Sequence, residues 1–265
     1  MTALQERTEL YQRQASPVPA LEATDVTMRF KVNGVLKTVL DRISFATFRN
    51  EFTCIVGQSG CGKTTLLNIL AGFLPPSEGK VTVMGKAICR PGPDRCVVFQ
   101  EDTLFPWLTV RENIAFGLKG KERGSTDHLK EEVNRFLDLV GLTDYQNYLP
   151  REISSGMKQR VELARVLILR PHIILMDEPF ASLDYRTRRE MQNLLVSLWQ
   201  ELPQTILFVT HDVDEAIVLG DKIEIMDINP GRVHEELHIP LERPRHINQS
   251  GFSSYRDKLH RFLCD

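Results

Sequence analysis

The eight residues Gly57-Gln-Ser-Gly-Cys-Gly-Lys-Thr64 follow the spacing G-x-x-x-x-G-K-[ST]. Glycine at these positions lets the backbone turn and aim successive N–H groups at phosphate oxygens. Lys63 supplies a point charge for β- and γ-phosphates, and the Thr64 hydroxyl can ligate Mg²⁺. A helix over roughly Lys63–Ala71 then points its positive end at the anion. Farther on, Asp177 and Glu178 follow the apolar run Ile173–Met176. Asp177 can hold Mg²⁺ through water, and Glu178 can deprotonate a water that attacks a γ-phosphate. The alternative is an acidic pair that merely opens a loop. Cys61 reads as a small residue that fits its loop, with a thiol activated by the helix terminus as the rival reading.

Four short apolar runs position these groups. Phe52–Val56 precedes Gly57, Cys96–Phe99 precedes Gln100, Ile173–Met176 precedes Asp177, and Ile206–Val209 precedes Thr210-His211. Continuous runs of this length suit strands buried on both faces of a parallel sheet. Such sheets bind ligands beyond the carboxyl ends of their strands. If the runs are neighbours, Gln100, Asp177, Glu178 and His211 converge on the phosphate loop. Strand-like segments at Leu21–Phe30 and Ile43–Phe48 open the body, with a turn at Asn33-Gly34. Between Thr109 and Arg170 helical spacing dominates, and Leu129, Val133, Phe136, Leu137 and Val140 form one apolar face. Helices are expected over Lys158–Leu169, Arg186–Leu202 and Asp214–Leu219, with a strand at Lys222–Met226. Asn229-Pro-Gly231 turns the chain, and Phe252, Tyr255, Leu259 and Phe262 mark a terminal amphipathic helix.

Composition excludes several classes. The chain has 265 residues, with 33 Lys plus Arg against 35 Asp plus Glu. That balance argues against a protein built to coat nucleic acid or an anionic membrane, so no nucleic-acid partner is expected. The longest apolar stretch, Val166–Met176, is cut by Arg170, Pro171 and His172, and no run reaches a membrane span. Residues 1–19 read as a polar extension ending in Pro-Val-Pro, without a signal-peptide core. Five scattered cysteines, Cys54, Cys61, Cys89, Cys96 and Cys264, lack metal-ligand spacing and suit a reducing compartment.

Ile153-Ser-Ser-Gly-Met-Lys-Gln-Arg160 resembles the signature motif of ATP-binding-cassette (ABC) ATPases, roughly L-S-G-G-Q. With the phosphate loop, Gln100, Asp177-Glu178, Ala181-Ser-Leu-Asp184 and His211, it completes that family's ordered motif set over about residues 20–245. The resemblance implies an α/β fold: a P-loop NTPase core with a mostly parallel sheet, an antiparallel β subdomain and a helical subdomain inserted at about 101–165. Residues 246–265 would form a C-terminal helical tail. It implies that Phe30 stacks on adenine and that Gly57, Gln58, Ser59, Gly60, Cys61, Gly62, Lys63, Thr64 and Thr65 bind the phosphates of ATP. Thr64, Gln100 and Asp177 would attend Mg²⁺. Glu178 resembles the catalytic base, His211 the γ-phosphate switch, and Asp184 part of a loop that communicates across a dimer. Ser154, Ser155, Gly156 and Met157 would act on the nucleotide of the opposite subunit. Ser155 departs from the family's glycine, which adds bulk where two chains close on a phosphate.

Pro91-Gly-Pro-Asp-Arg95, Val98-Phe-Gln-Glu101, Pro106-Trp-Leu-Thr-Val110, Asn229-Pro-Gly-Arg232 and Pro240-Leu-Glu-Arg-Pro-Arg245 look like the nitrate/sulfonate/taurine/bicarbonate importer group. That resemblance implies an ATP-hydrolysing energy-coupling subunit, peripheral on the cytoplasmic face of the membrane. Its partners would be a second cassette (a homodimer, or a heterodimer with a related chain), transmembrane permease subunits and, indirectly, a solute-binding protein. Trp107 would contact the permease or else pack within the helical subdomain. The alternatives are a soluble non-transport ABC ATPase, which usually carries two cassettes or long coiled coils, and an unrelated P-loop kinase, which would lack the signature motif.

Overall fold

The chain folds into two sheets and the helices that cover them, the central strands of the larger sheet buried along their whole length. The computed structural model describes residues 18–118 and 126–264; the extension expected at 1–19 lies, through residue 17, outside them. The elements run β1 (Leu21–Val32), β2 (Val35–Thr47), β3 (Phe52–Gly57), α1 (Lys63–Ala71), β4 (Glu78–Val83), β5 (Lys86–Ala87), β6 (Arg95–Val98), α2 (Val110–Ala115), α3 (Thr126–Leu139), α4 (Ser155–Leu167), β7 (Ile173–Asp177), α5 (Tyr185–Glu201), β8 (Thr205–Thr210), α6 (Val213–Leu219), β9 (Lys222–Met226), β10 (Val233–His238) and α7 (Phe252–Cys264). The larger sheet has the order β10-β9-β3-β8-β7-β6. Its strands are parallel except β10, which pairs antiparallel with β9. The smaller sheet, β2-β1-β4-β5, is antiparallel. The α/β class, the parallel sheet and the antiparallel sheet are those expected.

The four apolar runs are neighbours. Val56 pairs with Thr210, Asp177 with Val209, and Val98 with Met176. This register brings the carboxyl ends of β3, β8, β7 and β6 side by side. Both faces of the sheet are buried, as the continuous apolar runs required. Phe52, Cys54, Val56, Ile174, Met176 and Phe208 face the core beneath the helices from α2 onward. Ile55, Ile173, Leu175, Leu207 and Val209 face the other way, onto α1 and the antiparallel sheet. Each fully buried Phe or Leu contributes about 1.5–3 kcal/mol.

Among the described residues between β6 and β7, the regular elements are helical, as the periodicity predicts. Val133, Phe136, Leu137 and Val140 are buried, and Leu129 packs against the same core. The terminal helix α7 also docks, burying Phe252 and Leu259. The segment before it is clamped. Arg245 is buried and donates to the carbonyls of Ile217, Ile239 and Leu241 at 2.7–2.9 Å, and also to that of Gly220. A cation at the carboxyl end of α6 meets the negative pole of that helix.

One buried ion cluster sits at the far end of the sheet. Lys222 lies 3.1 Å from Glu224 and 3.2 Å from Glu236, and it also donates to the carbonyl of Ala46. Burial pushes the Glu224 carboxyl up to about 7, against the pull of Lys222. A carboxyl raised in this way stabilises the fold most below its ordinary value of 4.5 and loses that contribution as pH rises through about 7. Removing the lysine leaves the carboxylate buried and unpaired. Lys222→Met is expected to cost about 3–5 kcal/mol at about pH 8 and clearly less at about pH 5, where Glu224 keeps its proton. Urea denaturation at the two pH values checks this; equal losses at both contradict it.

Candidate nucleotide site

The loop after β3 takes its shape from close backbone contacts. Gly62, at φ 99°, is the N-cap of α1. That left-handed conformation calls for glycine, and an added Cβ would press on the Leu40 side chain at 2.7 Å. Gly231, from the Asn-Pro-Gly turn, lies where a Cβ would come within 2.1 Å of the Cys61 carbonyl oxygen. That turn buttresses the phosphate loop from behind. Cys61 is buried, and burial pushes its thiol up, which favours the reading of a small residue that fits its loop. Gln58, Ser59 and Gly60 are exposed, and Thr65 is half-buried.

Lys63 is 5% exposed. Its Nζ donates to the carbonyls of Gly57 at 2.8 Å and Gln58 at 3.1 Å, and lies 3.7 Å from Glu178 Oε1. Glu178 Oε2 is 2.7 Å from His211 Nδ1. One carboxylate therefore touches groups delivered by β3 and β8 while itself leaving β7. Its backbone has φ 44°, a left-handed conformation that costs a non-glycine residue free energy. Its N–H still donates to the Val209 carbonyl at 2.9 Å. Asp177, one residue earlier, is 8% exposed. Burial raises its carboxyl, and a hydrogen bond with the Thr64 side chain opposes that rise. A hydroxyl and a carboxylate set side by side are hard oxygen donors of the kind Mg²⁺ prefers.

The other expected residues lie on β1, past β6 and at the starts of α4 and α5. Gln100 is exposed just past β6. Phe30 is half-buried on β1 against the second core. The signature segment forms the start of α4, and the helix begins at Ser155, three residues before the Lys158 start expected. The reason is a cap: Ser154 Oγ accepts from the Met157 N–H at 3.3 Å. Ser155 is exposed and already helical, so serine adds no backbone strain there. Gly156 packs against α5, where a Cβ would meet Thr187 Cγ2 at 2.8 Å. Asp184 caps α5, accepting from the N–H groups of Arg186 and Thr187 and from the Thr187 hydroxyl. That hydroxyl, with the amides, holds its carboxyl below the usual range. Among the described residues no hydrogen bond or ion pair joins 154–157 to 57–65.

Several residues outside the expected set hold the site together. Thr103, three positions after Gln100, is gripped by α4 through all its polar groups. Its N–H and hydroxyl donate to Glu162 at 2.6 and 2.9 Å, and its carbonyl accepts from Arg165 at 2.9 Å. Asp102 pairs with Lys158 at 2.8 Å. The stretch after Gln100 is thus bound to the helix that begins with the signature segment. Buried Asn113 pins the next turn, exchanging hydrogen bonds with Phe105 and donating to the Leu108 carbonyl. Arg95 donates to the Ala71 carbonyl at 2.9 Å and pairs with Asp94, closing the carboxyl end of α1. The Pro-Gly-Pro-Asp-Arg and Asn-Pro-Gly segments stand out in the sequence, but the contacts of Arg95 and Gly231 emerge only in the fold. Glu162 and Asn113 carried no signal, since a polar residue within a helical pattern reads as exposed.

Comparison with known proteins agrees with this geometry. The ABC transporter family model matches residues 40–181. An uncharacterized ABC transporter ATP-binding protein of Methanocaldococcus jannaschii is 45% identical over 92% of this chain and 91% of its own length. The nitrate import ATP-binding protein of Synechococcus elongatus is 44% identical over 78% of this chain and 76% of its own. The aliphatic sulfonates import ATP-binding protein of Bacillus cereus is 41% identical over 83% and 86%. Among solved structures, a dimeric ATP-binding cassette in a post-hydrolysis state, bound to ADP and Pi, superposes with a TM-score of 0.70 at 29% identity, covering 83% of this chain and 98% of that one. With its phosphate loop, paired carboxylates and histidine assembled at adjoining strand ends, the chain belongs to the ABC transporter family as an ATP-hydrolysing, ATP-binding subunit.

Proposed function

We propose that two copies of this chain, or this chain and a related cassette, enclose ATP and Mg²⁺ head to tail and drive import of a small anion or organosulfur compound. The observation that carries the catalytic part is the Lys63–Glu178–His211 constellation, closed at 3.7 and 2.7 Å across three neighbouring strand ends. Residues Gly57 to Thr65 receive the phosphates, with Lys63 moving from its loop carbonyls to the γ-phosphate. Glu178 takes a proton from the attacking water as its oxygen bonds to the γ-phosphorus and the bond to ADP breaks. His211 orients Glu178 and meets the γ-phosphate, and Phe30 stacks on adenine. Thr64, Asp177 and Gln100 would hold Mg²⁺; the ion, when bound, supplies charge neutralisation at the phosphate oxygens. The amino end of α4, from Ser154 to Met157, faces the ATP of the opposite copy. A helix terminus suits an anion there. The dimeric state of the cassette that superposes supports this arrangement.

The cassette takes in about residues 20–245, with its helical subdomain at about 101–165 and a tail at 246–265. Among the described residues no helix is long and apolar enough to cross a membrane. Import therefore calls for separate permease subunits, with this chain peripheral on their cytoplasmic side and a solute-binding protein acting outside. Trp107, 71% exposed, packs on the Phe105 ring, whose other ring neighbour is the half-exposed Phe116. Phe105 and Trp107 lie within seven residues after Gln100 and suit the permease contact. The import functions named for the relatives support nitrate or sulfonates as the cargo class.

Lys63→Ala is expected to weaken binding of a fluorescent ATP analogue at least about tenfold, since it deletes a charge-assisted contact to phosphate. Unchanged binding contradicts the loop assignment. Glu178→Gln is expected to bind ATP normally and lower turnover at least about a hundredfold, the usual scale of a general base. Uptake by host cells lacking the chain tests the cargo. Wild type, and not Glu178→Gln, should restore uptake of one compound among nitrate, nitrite, bicarbonate, taurine and alkanesulfonates. No restoration across that panel contradicts the cargo class.

A further inference from the structure

His211 sits between two residues locked into a buried polar network. On its amino side, the Thr210 hydroxyl donates to Glu215 Oε2 at 2.6 Å, and Gln192 on α5 donates to Glu215 Oε1 at 3.1 Å. Glu215 and Gln192 are 5% and 3% exposed. On its carboxyl side, the Asp212 N–H donates to Thr210 Oγ1 at 3.0 Å, and Asp212 Oδ1 accepts from the Glu215 N–H at 3.1 Å. The backbone of His211 is held by neighbours while its side chain stays 58% exposed beside Glu178. The network has a second end. Arg188 on α5 reaches Asp212 Oδ2 at 3.7 Å, and its Nη2 donates to the carbonyls of Leu183 at 3.0 Å and Ala181 at 3.4 Å. Those carbonyls belong to the Ala181–Asp184 loop. Arg188 Nε is buried with no hydrogen-bond partner. A guanidinium with one orphaned donor and two long contacts is not at its best geometry. A small displacement of the loop would tighten or break its contacts.

We infer that Arg188 is a positioning residue: it ties the Ala181–Asp184 loop to Asp212, so that movement of that loop is felt at the setting of His211 against Glu178. The inference rests on the assignment of Glu178 and His211 to hydrolysis, and Glu178→Gln measured alongside reports on that assignment separately. Arg188 touches no reacting group, so nucleotide affinity is spared while turnover is not. The loop carries the dimer-facing residue Asp184, and Arg188 thus lets closure of two copies set the histidine.

The test uses the full chain carrying Arg188→Met, Asp212→Asn, or both. Asparagine keeps the oxygen that accepts from the Glu215 N–H and so preserves the start of α6. Arg188→Met is expected to lower kcat at least about tenfold, with affinity for a fluorescent ATP analogue within about twofold of the parent. The double variant is expected to be no worse than Arg188→Met by more than about twofold, since one link cannot be cut twice. Parental kcat in Arg188→Met, or losses that multiply in the double variant, would overturn the inference. So would a kcat loss matched by an equal loss of ATP affinity, which marks a general structural defect. If Arg188→Met does not fold, Arg188→Lys is read by the same criteria, because lysine keeps the charge but cannot span carboxylate and carbonyls together.

Discussion

The register of β6, β7, β8 and β3 is the constraint on which the rest of the structure depends. Parallel pairing puts every carboxyl end of these strands on one edge. Glu178, just past β7, then meets His211, just past β8, at 2.7 Å and Lys63 at 3.7 Å. A slip of one position along β7 would turn Glu178 away from Lys63 and His211. The register is guarded by burial on both faces, because a slip would also exchange Ile174 and Met176 with Ile173 and Leu175 between two differently packed cores. The core specifies the site, and the site adds local strain at Glu178, whose left-handed backbone the surrounding structure absorbs.

Around that edge, buried polar side chains carry the connections that apolar packing cannot make directional. Thr103, Glu162 and Arg165 bind the segment after Gln100 to α4. Gln192, Glu215 and Thr210 bind α5 to the end of β8. Burial pushes the carboxyls of both Glu162 and Glu215 up, so each depends on its hydrogen bonds to be tolerated. Such a network resists partial movement and favours discrete arrangements. That property suits a site whose nucleotide-binding parts are proposed to move together.

Much of this was legible in the sequence because the informative residues sit at strand ends. The phosphate loop, its helix from Lys63 to Ala71 and the strand Lys222–Met226 came from local pattern alone. The start of α4 was misplaced because Ser154 and Ser155 read as loop, whereas one serine caps the helix and the other begins it. The strands β4, β5 and β10 were missed. Half of β4 is exposed, β5 has two residues, and β10, Val-His-Glu-Glu-Leu-His, has only two apolar residues. Arg188, Gln192 and Glu215 could not be found by spacing, since their meeting depends on α5 lying against β8 and α6. Gly231 shows the reverse case: the turn was plain, but its contact with Cys61 needed the fold.

The central claim is that one γ-phosphate is met by Lys63 and Glu178 from one copy and by the start of α4 from another. A crystal structure of Glu178→Gln with ATP and Mg²⁺ tests it most directly. The account predicts two copies head to tail, Lys63 Nζ transferred from the Gly57 carbonyl to the phosphates, and Ser154 against the nucleotide of the opposite copy. Nucleotide bound with Lys63 still on its own loop, or copies joined without Ser154 near either ATP, would contradict it.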